Sequence, residues 1–379
     1  MKKLLSIVAV TSGALVIGLS QAGDRVKAQD AKKPCYAANA RVAARVYKAP
    51  DADFDPVLGY SRSTGPRRGA PPVDENGFAR PVKCVAVPRD TKGTGTTPKF
   101  YCSPSDNPDS VVYKVKPQFK GPAPDKRNGE IYGEFLSSRF SKAMGFFADD
   151  EWVADVTCPD CEKVLNKPFQ GAKFDPFQPA AGIEMGIGEG LEIDCKPDTD
   201  TAELKDALPK LDEVGSASEN DNVHAEIDAF KLWLAFIDHG DTKKDNQRYA
   251  CLAHHDRGGE QVCDEPIYYV SDMGSTFGYS TASENKARLD LWRKKDPIRI
   301  ENGKCYANAK DVGDLQISEE GRKLLVGNLQ RLLDAEAHDR TITRVFGASR
   351  NAERDQQPSA WTAEFIRKAN MIINAKCSR

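Results

Sequence analysis

Apolar and β-branched positions predict a group of strands in the first half of the chain. Residues 82–87, 99–102 and 111–116 are each rich in Val, Phe, Tyr or Cys, a composition that favours strands. Glycines and threonines between the first two, at 91–97, predict the tip of a hairpin. Residues 50–81 are crowded with Pro and Gly, which is typical of irregular coil.

The remaining part of the chain mainly shows the spacing of apolar residues that is typical of helices. One helix is predicted from about 128 to 144, and a second from 223 to 237, where apolar residues recur every three or four positions. Ser318 can cap a leucine-rich helix, and a last helix is predicted from Ser359. Residues 169–212, rich in Pro, Gly and acidic side chains, are expected to be mostly loop. The pattern indicates an α+β protein with a β-rich part and a mainly helical part.

The N-terminus has the pattern of a secretory signal peptide. Lys2 and Lys3 precede an apolar run that ends near Leu19 and is followed by small residues. The run is short and interrupted by Ser, Thr and Gly, so a cleaved signal is favoured over an uncleaved membrane anchor. We therefore predict a secreted or periplasmic protein. No second apolar run is long enough to span a bilayer, so no stable membrane insertion is expected after signal removal.

The ten cysteines all follow that segment, and an even number in an exported chain predicts disulfides. Cys84 and Cys102 lie nine residues to either side of Gly93, so a hairpin with its tip there would place them opposite each other, where a disulfide could pin the hairpin. A structural disulfide, or half of a zinc site, is favoured over a redox dithiol for the C-x-x-C at Cys158 and Cys161.

Cys251 and Cys263 bracket a polar loop, and a disulfide closing it is favoured over a zinc site. Charge is balanced, with 54 Lys and Arg against 56 Asp and Glu. Because no basic stripe with interleaved aromatics stands out, nucleic acid is not an expected partner.

Two short motifs point to phosphoryl transfer. Residues 239–246 read His-Gly-Asp-Thr-Lys-Lys-Asp-Asn, and after a predicted strand at 266–270 come Asp272, Met and Gly. Such chemistry needs one carboxylate to orient the attacking hydroxyl, and an Asn and an Asp to hold magnesium. The spacing D-x-K-x-x-N resembles the catalytic loop of protein kinases, and Asp-Met-Gly resembles their Asp-Phe-Gly. The chain therefore resembles a divergent member of the protein kinase-like superfamily.

The resemblance implies a role for each residue of these motifs. Asp241 would orient the substrate hydroxyl and accept its proton, and Lys243 would neutralise charge on the transferred group. Asn246 and Asp272 would chelate Mg²⁺ or Mn²⁺ beside ATP. The neighbouring His239-Gly stands where many kinases have His-Arg, and no Ala-Pro-Glu follows, so an atypical or small-molecule kinase is the nearer comparison.

The resemblance also extends to the predicted third strand. Lys116 is favoured as the lysine that holds the nucleotide phosphates, with Lys114 as the alternative on the same face, since strand side chains alternate. Val115 between them would face the core. The expected ion-pair partner on the following helix is Glu134, with Glu130 one turn earlier as the runner-up.

The predicted hairpin tip would supply the remaining phosphate contacts. Gly93 and Gly95 stand where kinases have a glycine-rich loop, but a third glycine is missing. The hydroxyls of Thr96 and Thr97 would share the contact.

Together these predictions describe a two-lobed, disulfide-stabilised, kinase-like α+β fold. The expected parts are a signal peptide at 1–28, an N-terminal coil at 29–81, a small β-rich N-lobe at 82–165, and a mainly helical C-lobe at 166–379. The expected function is ATP-dependent phosphoryl transfer to a hydroxyl of a protein, glycan or small molecule. The alternatives are a catalytically silent relative that binds nucleotide or a partner, and an unrelated disulfide-rich structural or binding protein of the envelope.

Overall fold

Five strands close into a small barrel. The computed structural model describes residues 44–88, 97–106, 111–118, 128–166, 174–187, 221–242, 246–257, 260–278, 287–309, 315–350 and 357–377. The predicted signal peptide lies outside these residues. The barrel strands are β3 (Val82–Ala86), β4 (Phe100–Pro104), β5 (Tyr113–Lys116), β6 (Asp150–Thr157) and β7 (Phe177–Met185). They are hydrogen-bonded in the order β3-β4-β5-β7-β6, and β3 closes onto β6.

The three strands predicted from composition are confirmed as β3, β4 and β5, whereas β6 and β7 were not predicted. Residues 177–185 were expected in a loop of the second lobe, but they pair with both β5 and β6. A Pro and a Gly within β7 hide its strand character, and only pairing with distant strands stabilises it. The boundary of the β-rich part therefore lies beyond the expected residue 165.

Side chains alternate across the barrel wall. Tyr113 and Val115 of β5 are buried in the barrel core with the apolar residues of β6 and β7. Lys114 and Lys116 consequently point to the outer face, as period-two geometry requires. A helix, α1 (Gly129–Ala143), packs against this outer face, where Ile131 lies close to the backbone of Gly182.

Local signals set the ends of α1 close to the predicted limits. The Asn128 side chain caps the helix by accepting a hydrogen bond from the Glu130 amide. Gly145 follows with a φ of 87°, a left-handed conformation that suits glycine and ends the helix. Nearly every residue of α1 is buried, because the barrel lies on one side and the helical part on the other.

The helical part encloses a core of aromatic rings. Its main helices are α2 (Asp221–Phe236), α4 (Glu319–Asp339), α5 (Thr341–Ala348) and α6 (Pro358–Asn374), and a single turn, α3 (Leu289–Trp292), precedes α4. Ser318 caps α4 as predicted by accepting from the Gly321 amide. Ring contacts join the core residues Phe140, Phe236, Phe277, Trp292, Phe346, Trp361 and Phe365.

A long hairpin follows α2. Strands β8 (Gln247–Cys251) and β11 (Pro266–Val270) pair antiparallel, and β9 (His254–Arg257) pairs with β10 (Glu260–Cys263) between them. Arg45 extends the β11 edge through backbone bonds to Pro266 and Tyr268, so part of the expected N-terminal coil is sheet-like. The remaining strands are β1 (Phe54–Asp55), β2 (Tyr60–Ser61), β12 (Ile298–Glu301), β13 (Lys304–Ala307) and β14 (Gln316–Ile317).

Disulfides join cysteines in both parts. The predicted Cys84–Cys102 bond is confirmed, with the two Cα atoms 5.5 Å apart. Its cysteines are diagonal rather than opposite, because the register pairs Ala86 with Cys102. The C-x-x-C motif also forms a disulfide, as predicted.

A disulfide between Cys305 and Cys377 closes the C-terminus onto β13. Cys251 is disulfide-bonded as well, while the side chain of its predicted partner Cys263 is outside the described part. Among the helices in the described ranges, none is both long and apolar enough to cross a membrane.

Candidate active site

Lys116 lies at the centre of a buried cluster of carboxylates. Its ammonium contacts Glu134, lies 2.8 Å from Glu130 Oε1, and lies 3.7 Å from Asp272 Oδ1. The Lys116 side chain is only 3% exposed. Strand β5, helix α1 and the segment after β11 therefore converge on one side chain.

Both candidate glutamates bind the lysine, so the alternatives left open by the sequence are not exclusive. Residues four apart on a helix lie on the same face, and Glu130 and Glu134 approach the same ammonium. Glu130 also accepts a hydrogen bond of 2.7 Å from Thr97 Oγ1. Thr97 is the first described residue after the predicted tip, and it lies beside this partner of the lysine.

Lys114 points to the same face but has a different partner. Its ammonium pairs with Glu184 of β7, which stands opposite it in the strand register. Lys116 lies 3.9 Å from the same carboxylate. Lys116 also lies within ion-pair distance of Asp272.

The Asp272-Met273-Gly274 turn packs closely under α1. Asp272 has a φ of 55°, a left-handed conformation that aspartate adopts more readily than most residues other than glycine, and its side chain is 45% exposed. A Cβ at Gly274 would lie 2.2 Å from Glu130 Cγ, and one at Gly133 would lie 2.5 Å from the Gly274 carbonyl oxygen. Only glycine permits this approach, which keeps Asp272 next to Lys116.

The loop after α2 is held to the same region. Asn246 Nδ2 donates to the Asp241 carbonyl oxygen at 2.8 Å, and the Ser271 amide donates to the Asn246 carbonyl oxygen at 2.7 Å. The Gly240 amide donates to the Ser275 carbonyl oxygen at 2.8 Å. These hydrogen bonds hold Asp241 and Asn246 beside the segment that carries Asp272, because β8 begins and β11 ends at the same open end of the hairpin.

Burial and charge shift several pKa values in the cluster. Burial alone would lower the pKa of Lys116, but the carboxylates of Glu130 and Glu134 outweigh it, and the pKa is raised well above its usual range. Burial raises the pKa of Glu134 to about 8, against the opposing effect of Lys116. Burial, and then the nearby Glu134, raise the pKa of Glu151 well above its ordinary value. The pocket holds more acidic groups than one lysine can neutralise.

Glu151 and Glu184 were missed by sequence reasoning. They face each other on β6 and β7, and these strands lacked a clear pattern. Because β6 and β7 were not predicted, no sequence signal indicated that their glutamates would lie beside Lys116. The candidates Gly93, Gly95, Thr96 and Lys243 lie outside the described residues, so their roles stay predictions.

The chain has a distant structural likeness to a solved structure. No protein-family model and no curated protein matches the chain. The chain is similar to the crystal structure of a Helicobacter pylori proinflammatory kinase, CtkA, with 11% identity and a TM-score of 0.41. The match covers 76% of this chain and 94% of that chain. A likeness at this level carries no argument about activity.

Proposed function

We propose that the chain is an exported, kinase-like phosphotransferase that uses ATP with Mg²⁺ or Mn²⁺. The acceptor is a hydroxyl of a protein, a glycan or a small molecule. The disulfides support export, since disulfides persist in oxidising compartments.

The observation that carries this proposal is the contact of Lys116 with Glu134 and Asp272. Lys116 lies on β5, Glu134 on α1 and Asp272 on the turn after β11. The two acidic residues are 18 and 156 positions along the chain from the lysine. A strand lysine paired with a helix glutamate beside a metal-binding aspartate is the arrangement that kinases use to hold nucleotide phosphates. An ordinary structural salt bridge needs no third residue of this kind.

The donor atoms suit a hard divalent cation. Asn246 Nδ2 is occupied by the Asp241 carbonyl, which leaves the amide oxygen as the possible ligand atom, and Asp272 offers a partly exposed carboxylate. Oxygen ligands of these two types are those that Mg²⁺ and Mn²⁺ take beside nucleotides. When bound, the cation would neutralise phosphate charge.

Each of the chain's own site residues would have a separate role in the reaction. Lys116 would bind the phosphates, and its position is set by Glu130 and Glu134. Asp241 would orient the acceptor hydroxyl and take its proton as that oxygen bonds to the terminal phosphorus and the nucleoside diphosphate leaves. Lys243 would stabilise the charge on the transferred group.

Nucleotide binding is tested by thermal melting of the purified chain with Mn²⁺ and ATP. The melting temperature is expected to rise with nucleotide, because a ligand that binds only the folded state stabilises it. Asp272→Ala should abolish the rise. Asp160→Ala, at an exposed aspartate outside the cluster, should keep it. A wild-type protein that shows no shift with ATP and Mn²⁺ contradicts nucleotide binding.

Catalysis is tested separately by transfer of labelled phosphate to the protein itself, to glycans and to small alcohols. Asp241→Asn should lower the rate by at least about a hundredfold while preserving the melting shift, since it removes the base but not the binding residues. A melting shift with no transfer to any acceptor would identify a silent nucleotide-binding relative instead.

A further inference from the structure

A second group of carboxylates lies behind Lys116, on the outer face of the barrel. Lys114, Glu184 and Glu151 stand opposite one another on β5, β7 and β6. Glu134 reaches this row from α1. One carboxylate oxygen from each of Glu134, Glu151 and Glu184 lies within 4.8 Å of the other two. Asp272 and Asn246, the residues proposed to hold the nucleotide-associated cation, are not part of this set.

Two of these buried glutamates have incomplete bonding. Glu151 is only 6% exposed, yet its side chain makes no hydrogen bond or ion pair within the described ranges. Glu134 uses one oxygen for Lys116, and its buried Oε2 finds no hydrogen-bond partner among the described residues. Buried polar atoms in native proteins are nearly always paired, and a bound cation would supply a partner for these carboxylates.

The charges of the whole cluster point to the kind of ligand. Five carboxylates surround three lysines, and Arg139 also interacts with Glu151, so acidic groups still outnumber basic ones in this cluster. The carboxylates are Glu130, Glu134, Glu151, Glu184 and Asp272, and the lysines are Lys99, Lys114 and Lys116. A bound cation would offset the excess of acidic groups.

We propose that Glu134, Glu151 and Glu184 bind a hard divalent cation, such as Ca²⁺, Mn²⁺ or Mg²⁺, without nucleotide. Carboxylate oxygens are preferred by these ions. Oxygens on opposite sides of Ca²⁺ are about 4.6–5.2 Å apart, twice the usual bond length, so the observed spread requires little movement. For Mg²⁺, whose bonds are about 2.0–2.1 Å long, oxygens 4.8 Å apart would have to approach each other by about 0.6–0.8 Å.

Such a cation would position Lys116 indirectly. Glu134 would be held between the ion on one oxygen and the lysine on the other, so α1 and the barrel would be joined at the point where the lysine is oriented. Glu134 and the cation therefore act as a positioning pair. Cation binding at this site does not depend on phosphoryl transfer, and the two proposals can fail separately.

The test is a Mn²⁺ titration of the purified full chain after chelator treatment and without nucleotide, with free Mn²⁺ counted by its paramagnetic resonance signal. We expect one tightly bound ion per chain, displaced by excess Ca²⁺. Glu151→Gln should weaken binding about tenfold or more. Because glutamine keeps the shape of Glu151 and no ion pair of Glu151 is lost within the described ranges, this change should not prevent folding. Glu184→Gln serves as a second variant.

Matched controls separate this site from the nucleotide site. Glu162→Gln, at an exposed glutamate, should bind Mn²⁺ like the wild type. Asp272→Ala should keep nucleotide-free binding and lose only the ATP-dependent melting shift. Absence of bound Mn²⁺ at millimolar concentration, or undiminished binding in both Glu151→Gln and Glu184→Gln, would overturn the proposal. Loss of the ion in Asp272→Ala alone would assign it to the other site and overturn it too.

Discussion

The variant Glu134→Gln tests whether the pKa of Glu134 is raised, because its effect on the free energy of unfolding should depend on pH. Burial raises the pKa of Glu134 to about 8, compared with its usual 4.5. Glutamine keeps the shape of the side chain and cannot titrate. Lys116 retains Glu130 at 2.8 Å, so the variant does not leave the ammonium unpaired.

The sign of the effect follows from proton binding. Between pH 4.5 and 8 the folded chain holds a proton on Glu134 that the unfolded chain has released, so the folded state is favoured by acid. The stabilisation is fully present below the unfolded pKa and is lost as pH rises through the folded pKa. From pH 5.5 to 8.5 the wild type should lose about 3 kcal/mol through this one group, at about 1.4 kcal/mol per unit of pKa.

Urea unfolding at the two pH values measures this loss, with disulfides intact and EDTA present to exclude metal ions. The wild type should lose about 3 kcal/mol more than Glu134→Gln between pH 5.5 and 8.5. Glu162→Gln, an exposed control, should follow the wild type. Parallel pH dependences for the wild type and Glu134→Gln would refute the assignment of a raised pKa to this carboxyl.

The variant Lys116→Met removes a cation of the same cluster instead of one of its carboxylates. It leaves Glu130 and Glu134 buried without their shared ammonium, a change that costs about 3–5 kcal/mol at pH 8.5. The cost should be smaller at pH 5.5, because a protonated Glu134 no longer needs a cationic partner. A cost independent of pH would mean that lost packing, not charge, dominates.

Two further changes probe the scaffold of the site. Gly274→Ala would force a Cβ to within 2.2 Å of Glu130 Cγ and should destabilise by about 1–3 kcal/mol in urea unfolding. The control Gly327→Ala lies in helix α4 with open space around it and should instead stabilise the protein by up to about 1 kcal/mol. Equal effects of Gly274→Ala and Gly327→Ala would contradict the close packing of Gly274 against Glu130. Replacing Cys305 and Cys377 together by alanine should cost about 4 kcal/mol, since the bond links residues 72 positions apart. A double variant as stable as the wild type would exclude that contribution.

Local signals explain which elements could be predicted. The helix expected at 128–144 is observed at Gly129–Ala143, because Asn128 and Gly145 define its ends through neighbouring atoms. The strand lysines share one face because alternation is a property of the strand itself. Strands β6 and β7 were not predicted because their stability comes from pairing with residues that are remote in sequence.

The sequence by itself determined the identity and order of the chemical groups: two lysines on one strand face, two glutamates one helical turn apart, and the Asp241, Asn246 and Asp272 motifs. Only the tertiary structure decided that both glutamates share Lys116, and that Glu151 and Glu184 join them. The physical reason is that strand and helix periodicity act over a few residues. Burial, ion pairing and shifted pKa values depend instead on which distant segments pack together.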